Sequence, residues 1–193
     1  MVKVYFTDIS NFDFNTNELP LIYDKQRITY IESINDAKRK KQSFFVWLLL
    51  EYVLRADFNV FKPKFSFVDE KWFLKNSNVK FSITHSENIV AISISDNVQA
   101  VGVDVEIVSD KILKLQKLFN NLNDNVDIKD FLTIKWTEKE SKLKSQNKNN
   151  FSTCEIYDNN GSKYFLTVCC DERCSDFINI DIDTIKQKQH KNT

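Results

Sequence analysis

Alternating apolar and polar residues near the start of the chain predict a β-strand at residues 3–9. After a polar connector, residues 34–55 change from a basic segment to an almost wholly apolar one, which predicts a helix packed deep between layers. Three short segments rich in Val, Ile and Phe follow, at residues 65–68, 79–84 and 89–95. Their composition predicts three strands.

The second half of the chain repeats this order of elements. It predicts a strand, a helical region and three further strands, at residues 101–106, 112–145, 154–157, 164–170 and 177–182. The repeat predicts an α+β fold of two similar α/β lobes related by a pseudo-twofold axis, one at residues 1–99 and the other at 100–193. A functional site is then expected in the cleft between the lobes.

Composition and charge narrow the classes of function. The 193 residues are 42% apolar, and 27 basic residues balance 27 acidic ones, so the chain lacks the basic excess of a general nucleic-acid binder. The longest apolar stretch is shorter than the roughly 20 residues that span a bilayer. The first residues lack the zones of a signal peptide. The sequence therefore predicts a cytoplasmic protein with no nucleic-acid or membrane partner. It also predicts a monomer, because one chain supplies both halves of the expected cleft.

Four cysteines lie in the last part of the chain: Cys154, Cys169, Cys170 and Cys174. In a cytoplasmic protein they are expected to be reduced thiols. A structural zinc site requires paired ligands at short spacings, whereas the adjacent Cys169 and Cys170 would point to opposite faces of a strand. Buried thiols in a sheet are therefore the favoured interpretation, and a zinc site is the alternative.

The chain has only two glycines, Gly102 and Gly161. Gly161 ends an Asp-Asn-Asn-Gly segment that predicts a hairpin turn. Gly102 lies inside a predicted strand, where a missing side chain indicates a bulge or the close approach of a ligand or another backbone. In the same strand Asp104 and Glu106 project from one face. Alone, such a pair is more often a solvated strand surface than a cation site.

A second group of candidate residues lies on a predicted helix in the second half. The sequence predicts that this helix begins with Thr137 as N-cap and that Glu140 completes a capping box. Glu140 and Lys144 are four residues apart on one face, as in an ordinary surface ion pair. Together with Asp104 and Glu106, they form a set of three carboxylates and a lysine that suits Mg²⁺ bound to a phosphate ester.

These motifs resemble those of the 4′-phosphopantetheinyl transferases of the larger, two-lobed type. Ile-Thr-His-Ser at residues 83–86, Val-Gly-Val-Asp-Val-Glu at 101–106 and Trp-Thr-Glu-Lys-Glu-Ser-Lys-Leu-Lys at 136–144 match the family pattern in its order. The resemblance implies the family's pseudo-dimeric fold. It also implies Mg²⁺-dependent transfer of 4′-phosphopantetheine from coenzyme A to a serine of an acyl or peptidyl carrier protein, with release of 3′,5′-ADP.

Carried over residue by residue, the resemblance assigns the metal and the chemistry. It implies that Asp104, Glu106 and Glu140 hold Mg²⁺ against the pyrophosphate of coenzyme A. Lys144 would contact the same phosphates and stabilise the charge that develops on the leaving group. Glu140, or a water molecule that it orients, would be the general base. Glu140 and Lys144 are therefore the predicted catalytic residues.

The resemblance also assigns the coenzyme A site, with two departures. His85 matches the family histidine that contacts a coenzyme A phosphate, and Lys139 matches the lysine just before the metal-binding glutamate. Gln42 stands where many relatives have an arginine for the 3′-phosphate, and we expect one of the basic residues just before it, Lys41 among them, to substitute. Only Lys71 remains of a Gly-Lys-Pro motif near the nucleotide base.

Two alternatives come from other classes of protein. A non-catalytic relative would bind the carrier protein without metal-dependent turnover, which the altered Gly-Lys-Pro motif and the missing arginine favour. Another Mg²⁺-dependent phosphodiester enzyme with the same carboxylates would release a nucleotide product without any carrier protein.

Overall fold

The computed structural model describes residues 1–69, 71–118, 127–172 and 174–190. Within these ranges the chain forms nine strands, four α-helices and two 3₁₀ helices. The strands are β1 (Val2–Asp8), β2 (Phe65–Val68), β3 (Lys71–Leu74), β4 (Lys80–Ser86), β5 (Ile89–Ser95), β6 (Val101–Ile107), β7 (Asn150–Tyr157), β8 (Lys163–Cys170) and β9 (Cys174–Asn179). The helices are α1 (Lys25–Ser33), α2 (Ala37–Phe58), α3 (Ile128–Lys144) and α4 (Ile182–His190), with 3₁₀ helices at Thr16–Leu21 and Asp110–Leu118.

The described strands form three sheets, and the fold is of the predicted α+β class. A four-stranded sheet has the order β4-β5-β1-β9, in which β1 and β9 are parallel and the other neighbours are antiparallel. An antiparallel sheet has the order β6-β8-β7, and β2 pairs with β3 in a separate hairpin. None of the described helices is long and apolar enough to cross a membrane.

The four-stranded sheet is covered on both faces, which explains why β5 is buried along its whole length. On one face, Val90 and Ile92 lie in an apolar cluster with α2. On the other face, Ala91 lies in a second cluster with Val103 of β6 and Leu166 of β8. The second sheet therefore packs against the first, and this contact brings β4 and β6 together.

Helix α2 is the predicted long helix, with ends that follow local capping. Asp36 is its N-cap and accepts a hydrogen bond from Arg39 N at 2.6 Å. At the other end Asn59 adopts the left-handed conformation, with φ of 57°. Residues 42–51 are all buried, and each large apolar side chain among them contributes about 1.5–3 kcal/mol. The apolar pattern did not predict α1 or β3.

Thr137 does not begin a helix, so the predicted capping box is wrong. Helix α3 begins after Asp127, whose side chain accepts two backbone hydrogen bonds from the first turn, at 2.9 and 3.3 Å. Thr137 is buried within α3, and its Oγ1 lies 2.7 Å from Thr167 Oγ1 of β8. The earlier part of the predicted helical region is the 3₁₀ helix at Asp110–Leu118, and residues 119–126 lie outside the described residues.

The hairpin of β7 and β8 contains the predicted turn, where Gly161 has a φ of +80°. Three cysteines of this hairpin, Cys154, Cys169 and Cys170, are free thiols. The side chain of Cys174 lies outside the described part of the chain. Since the turn needs a left-handed residue and glycine adopts that conformation without strain, the turn prediction is confirmed.

The end of the chain returns to the four-stranded sheet. Strand β9 pairs with β1, with Phe177 opposite Val4. Helix α4 adds Ile182 and Ile185 to the apolar cluster around α2. The first sheet thus contains strands from both sides of the predicted boundary between residues 99 and 100, and the division into two lobes stays a prediction.

Glu51 is a carboxylate inside the apolar part of α2, with 1% of its surface exposed. It accepts hydrogen bonds from Tyr23 N at 2.7 Å and from Asp24 N at 3.3 Å, and so anchors the segment that begins α1. Burial raises the pKa of Glu51 to about 7, although the two hydrogen bonds act in the opposite direction. The folded protein therefore favours the protonated form over a range where the unfolded chain is ionised.

We expect the free energy of unfolding to fall as the pH rises from about 4.5 to about 7, because ionised Glu51 is less stable in the fold than in the unfolded chain. The loss corresponds to about 3 kcal/mol. The E51Q variant should lose most of this pH dependence in urea unfolding experiments. The control is E32Q, which changes an exposed glutamate of α1. Equal pH dependence in E51Q and the unmodified protein would contradict the prediction.

Candidate functional site

Strands β4 and β6 run side by side although they belong to different sheets. One edge of β6 pairs with β8. Along the other edge, side-chain hydroxyls of β4 take the place of a partner strand and accept hydrogen bonds from backbone N–H groups. The pairs are Val103 N to Ser82 Oγ, Val105 N to Thr84 Oγ1 and Ile107 N to Ser86 Oγ, at 3.2, 3.4 and 3.2 Å.

The two predicted carboxylates of β6 lie at this junction. Asp104 is 8% exposed, and its Oδ1 accepts hydrogen bonds from Thr84 Oγ1 at 3.1 Å and Lys144 Nζ at 2.7 Å. Glu106 is half-buried, and its Oε1 accepts one from Ser86 Oγ at 3.0 Å. The strand face that carries these carboxylates is therefore a buried junction between two sheets rather than a solvated surface.

The charges of the site act on one another. Burial raises the pKa of Asp104, Lys144 and the Thr84 hydroxyl oppose this change, and the charge of Glu140 adds to it. Burial also raises the pKa of Glu106, and the charge of Asp104 adds to that rise. The carboxylates thus repel one another in a poorly hydrated place, and a bound cation would relieve this repulsion.

Gly102 brings α3 close to this strand. A Cβ atom at this position would lie 2.0 Å from Ser141 O and 2.6 Å from Ser145 N, both in the backbone around the end of α3. The predicted close approach of another backbone to Gly102 is therefore confirmed. Because α3 lies so near, Lys144 reaches across to β6, where it binds Asp104 instead of forming a helix-surface pair with Glu140.

The charges of three cations act on His85, near the end of β4. Partial desolvation lowers the pKa of His85, although its side chain keeps an exposed surface, and the charges of Lys144, Arg39 and Lys38 lower the pKa further. Lys38 also forms an ion pair with Glu87. The start of α2 therefore lies next to the end of β4, and together they present a basic surface beside the carboxylates.

Gln42, at the position of the expected arginine, does not join this group. It is buried, and its Nε2 donates a hydrogen bond to Glu87 O at 2.9 Å. The charges that act on His85 come from residues 38 and 39 of α2, and Lys41 is not among them. Arg39 is thus a candidate that the sequence analysis did not single out, although it lies in the basic run that the analysis identified.

The other predicted lysines occupy separate places. Lys71, on β3, lines a cavity of about 220 Å³ together with Trp72, Phe81 and Lys144. Lys139 is exposed, and its Nζ lies 5.2 Å from the ring centre of Trp136. The cavity therefore connects Lys71 with Lys144 of the carboxylate site. Lys139 does not line this cavity and lies on α3 beside Trp136.

Hard oxygen donors at this junction fit Mg²⁺, which uses one or two protein carboxylates and completes its shell with water and phosphate oxygens. The hydrogen bonds that the described residues donate to Asp104 and Glu106 go to Oδ1 and Oε1. The second oxygens, Oδ2 and Oε2, receive none from these residues. Among the described residues, no three His, Cys, Asp or Glu side chains form a compact metal-binding group, so the structure does not gather Asp104, Glu106 and Glu140 into one cluster. Glu140 is half-buried on α3, and its charge acts on Asp104.

Sequence comparisons do not identify a family. No protein-family model matches the chain, and no curated protein matches it. The functional assignment therefore depends on the residues that meet where β4, β6, α2 and α3 come together.

Proposed function

We propose that the protein is a Mg²⁺-dependent 4′-phosphopantetheinyl transferase that modifies a serine of an acyl or peptidyl carrier protein with coenzyme A as donor. The observation that carries the proposal is the meeting of three motifs that are distant in sequence. His85 of β4, Asp104 and Glu106 of β6, and Lys144 of α3 come near one another, since Lys144 binds Asp104 and its charge acts on His85.

The distribution of charge supports coenzyme A as the ligand. Lys144 binds a carboxylate suited to a divalent cation, and its charge also acts on His85, as does the charge of Arg39. A diphosphate with an additional 3′-phosphate requires this combination of a metal and separate cations. The adjoining cavity has Trp72 and Phe81 in its lining, and such aromatic side chains can stack on a nucleotide base.

The proposed reaction is a phosphoryl-type transfer without a covalent enzyme intermediate. The carrier serine oxygen forms a bond to the phosphorus that bears pantetheine, and the bond from this phosphorus to the bridging oxygen breaks, which releases 3′,5′-ADP. The serine proton passes to Glu140 or to a water molecule that Glu140 orients. Lys144 offsets the negative charge on the leaving oxygen. Mg²⁺ held by Asp104, Glu106 and Glu140 would supply further positive charge to the diphosphate.

The finer description of the fold belongs to the same proposal. We assign the pseudo-dimeric arrangement of this family, with lobes at residues 1–99 and 100–193 and the site between them. The packing of the β4 edge of one sheet against β6 of the other supports this arrangement. A cytoplasmic monomer is proposed because one chain contributes both sides of the site.

Intact-protein mass spectrometry of an apo acyl carrier protein tests the proposal. The carrier is incubated with the protein, coenzyme A and Mg²⁺, and we expect a mass increase of one phosphopantetheine group. The increase should disappear with EDTA and with a carrier whose serine is changed to alanine. A failure to modify any of several acyl and peptidyl carriers would contradict the proposal.

A non-catalytic carrier-binding protein is the second candidate, and the Lys144–Asp104 ion pair favours it. Lys144 Nζ lies 2.7 Å from Asp104 Oδ1, where it already neutralises a proposed metal ligand. This candidate predicts that the protein binds apo carrier in a pull-down experiment but gives no mass increase with coenzyme A and Mg²⁺. The two functions are therefore separated by one pair of measurements.

Replacing Lys144 with alanine should lower the rate of transfer about 100-fold or more, as expected when one group that stabilises developing charge is removed. Binding of the carrier protein should change much less, because Lys144 faces the phosphates in the proposed site. Rates from mass spectrometry and affinities from titration calorimetry measure the two effects separately.

The control for this variant is K142A, two residues earlier on α3. The charge of Lys142 acts on Cys169 of β8, and none of its effects is on Asp104 or Glu106. K142A should transfer at close to the rate of the unmodified protein. An unchanged rate in K144A would remove Lys144 from the mechanism.

A further inference from the structure

We infer that Thr84 and Ser86 are positioning residues whose hydroxyls hold the carboxylates of Asp104 and Glu106 in the orientation that a divalent cation requires. The inference rests on the proposed function, which supplies the cation. It adds two β4 residues that would act through the carboxylates, without touching the cation or the substrate.

Each hydroxyl has its hydrogen directed to one carboxylate. Thr84 Oγ1 donates to Asp104 Oδ1 at 3.1 Å, and Ser86 Oγ donates to Glu106 Oε1 at 3.0 Å. The backbone N–H that follows each carboxylate points at the same hydroxyl, at 3.4 and 3.2 Å. A hydroxyl has a single hydrogen and two lone pairs, so accepting the N–H leaves its hydrogen for the carboxylate.

The two strands repeat this arrangement with a period of two residues. Ser82 also accepts a backbone hydrogen bond from β6, from Val103 N at 3.2 Å. The position that corresponds to a carboxylate there is Gly102, which has no side chain. Ser82 therefore provides the backbone contact alone, whereas Thr84 and Ser86 provide the same contact and also hold a carboxylate.

The hydrogen bonds select which carboxylate oxygens are available. They engage Oδ1 of Asp104 and Oε1 of Glu106, and the second oxygen of each receives no hydrogen bond from the described residues. Thr84 is 6% exposed and Ser86 is 7% exposed. Because water has little access to either hydroxyl, it cannot readily replace a lost donor. The carboxylate would then keep only its other donor, Lys144 Nζ at Asp104 or Ile107 N at Glu106, and would be held less firmly.

Cation binding by variants of β4 tests the inference. Thr84→Val and Ser86→Ala remove a carboxylate donor, and Ser82→Ala is the matched control that removes only a backbone acceptor. Mn²⁺ serves as the probe in titration calorimetry, and the Mg²⁺ concentration at half-maximal transfer gives a second readout. Mutation of a residue that hydrogen-bonds to a metal ligand typically changes metal affinity or activity about 10- to 100-fold. We expect cation binding to weaken by this factor in T84V and S86A.

The comparison includes readouts that a loss of structure would not reproduce. S82A should stay within about twofold of the unmodified protein, and Thr84→Ser should restore cation affinity because it restores the hydroxyl. Transfer rates of T84V and S86A should recover at high Mg²⁺. Thermal unfolding checks that each variant is folded, and S86A provides the comparison if T84V is not.

The outcomes separate this inference from the proposed function. Equal Mn²⁺ affinity in S86A, T84V and S82A would overturn the positioning role even if the protein transfers phosphopantetheine. Weakened Mn²⁺ binding in S86A and T84V alone would support positioning even if no carrier protein is modified, which would refute the proposed function. A protein that binds neither Mn²⁺ nor Mg²⁺ would overturn both.

Discussion

Changing Asp104 to asparagine should lower Mg²⁺-dependent transfer more than about 100-fold, beyond the usual effect of changing an outer partner of a metal ligand. Asparagine keeps the size of the side chain and an oxygen that can accept the Thr84 hydrogen bond, which is 3.1 Å long. It removes the negative charge that binds Lys144 and the proposed cation. Mass spectrometry of the carrier at several Mg²⁺ concentrations measures the effect, and E140A should cause a loss of the same kind.

The fold of D104N should survive the substitution. Burial raises the pKa of Asp104, which means that its ionised form is held at a cost in the folded protein. Loss of the ion pair leaves Lys144, whose side chain is 33% exposed, in contact with water. Circular dichroism should therefore show native secondary structure. Unfolding of both D104N and E140A would count against a metal site, since the residues would then be structural.

The control for the loss of activity is D130N. Asp130 lies on α3, as Glu140 does, but it pairs with Lys163 rather than with the proposed site. D130N should keep transfer activity within about threefold of the unmodified protein. The Asp130–Lys163 ion pair is partly exposed, and the loss of such a pair has little effect on the rest of a protein. A parallel loss of activity in D130N would mean that D104N acts through a general change of charge.

Changing Gly102 to alanine should destabilise the protein by about 3 kcal/mol or more, because overpacking of this degree is seldom relieved by small movements. The new Cβ would meet Ser141 O at 2.0 Å and Ser145 N at 2.6 Å, and these backbone atoms cannot rotate away as a flexible side chain can. For a protein of this size, the loss corresponds to a fall in Tm of about 6–12 °C. Differential scanning calorimetry measures it.

The other glycine provides the control for G102A. At Gly161 a Cβ would meet nothing within 4 Å, and only its φ of +80° opposes a side chain. G161A should therefore lower stability by about 1 kcal/mol and leave transfer unchanged. G102A should also impair transfer, because displacing α3 moves Lys144 away from Asp104. Equal stability of G102A and G161A would contradict the packing described at β6.

Elements with a strong apolar pattern were predictable from the sequence. Helix α2 and strands β1, β5 and β6 were predicted close to their observed positions, because each buries a continuous face or both faces. Helix α1 was not, since only Arg27 and Ile31 of its residues are buried. Its position depends on the Asp24 cap and on the contact with Glu51, which is distant in sequence.

The predicted start of α3 shows the limit of short motifs. A threonine followed three residues later by a glutamate begins many helices, but the same pair can also occur inside one. Here the buried hydroxyl of Thr137 binds Thr167 of β8, a partner that no local pattern reveals. The site residues Thr84 and Ser86 were missed for the same reason, although alternating hydroxyl residues in β4 were a visible signal.

By itself, the sequence determined the α+β class and the candidate residues His85, Asp104, Glu106, Glu140 and Lys144, because apolar periodicity and motif spacing are local properties of the chain. The tertiary structure alone decided how these residues meet. It joined Lys144 to Asp104, brought the charge of Arg39 to act on His85 and turned the hydroxyls of β4 toward the carboxylates of β6. These contacts depend on the two sheets packing against each other with β4 beside β6, and on α3 lying against Gly102, which only the folded chain establishes.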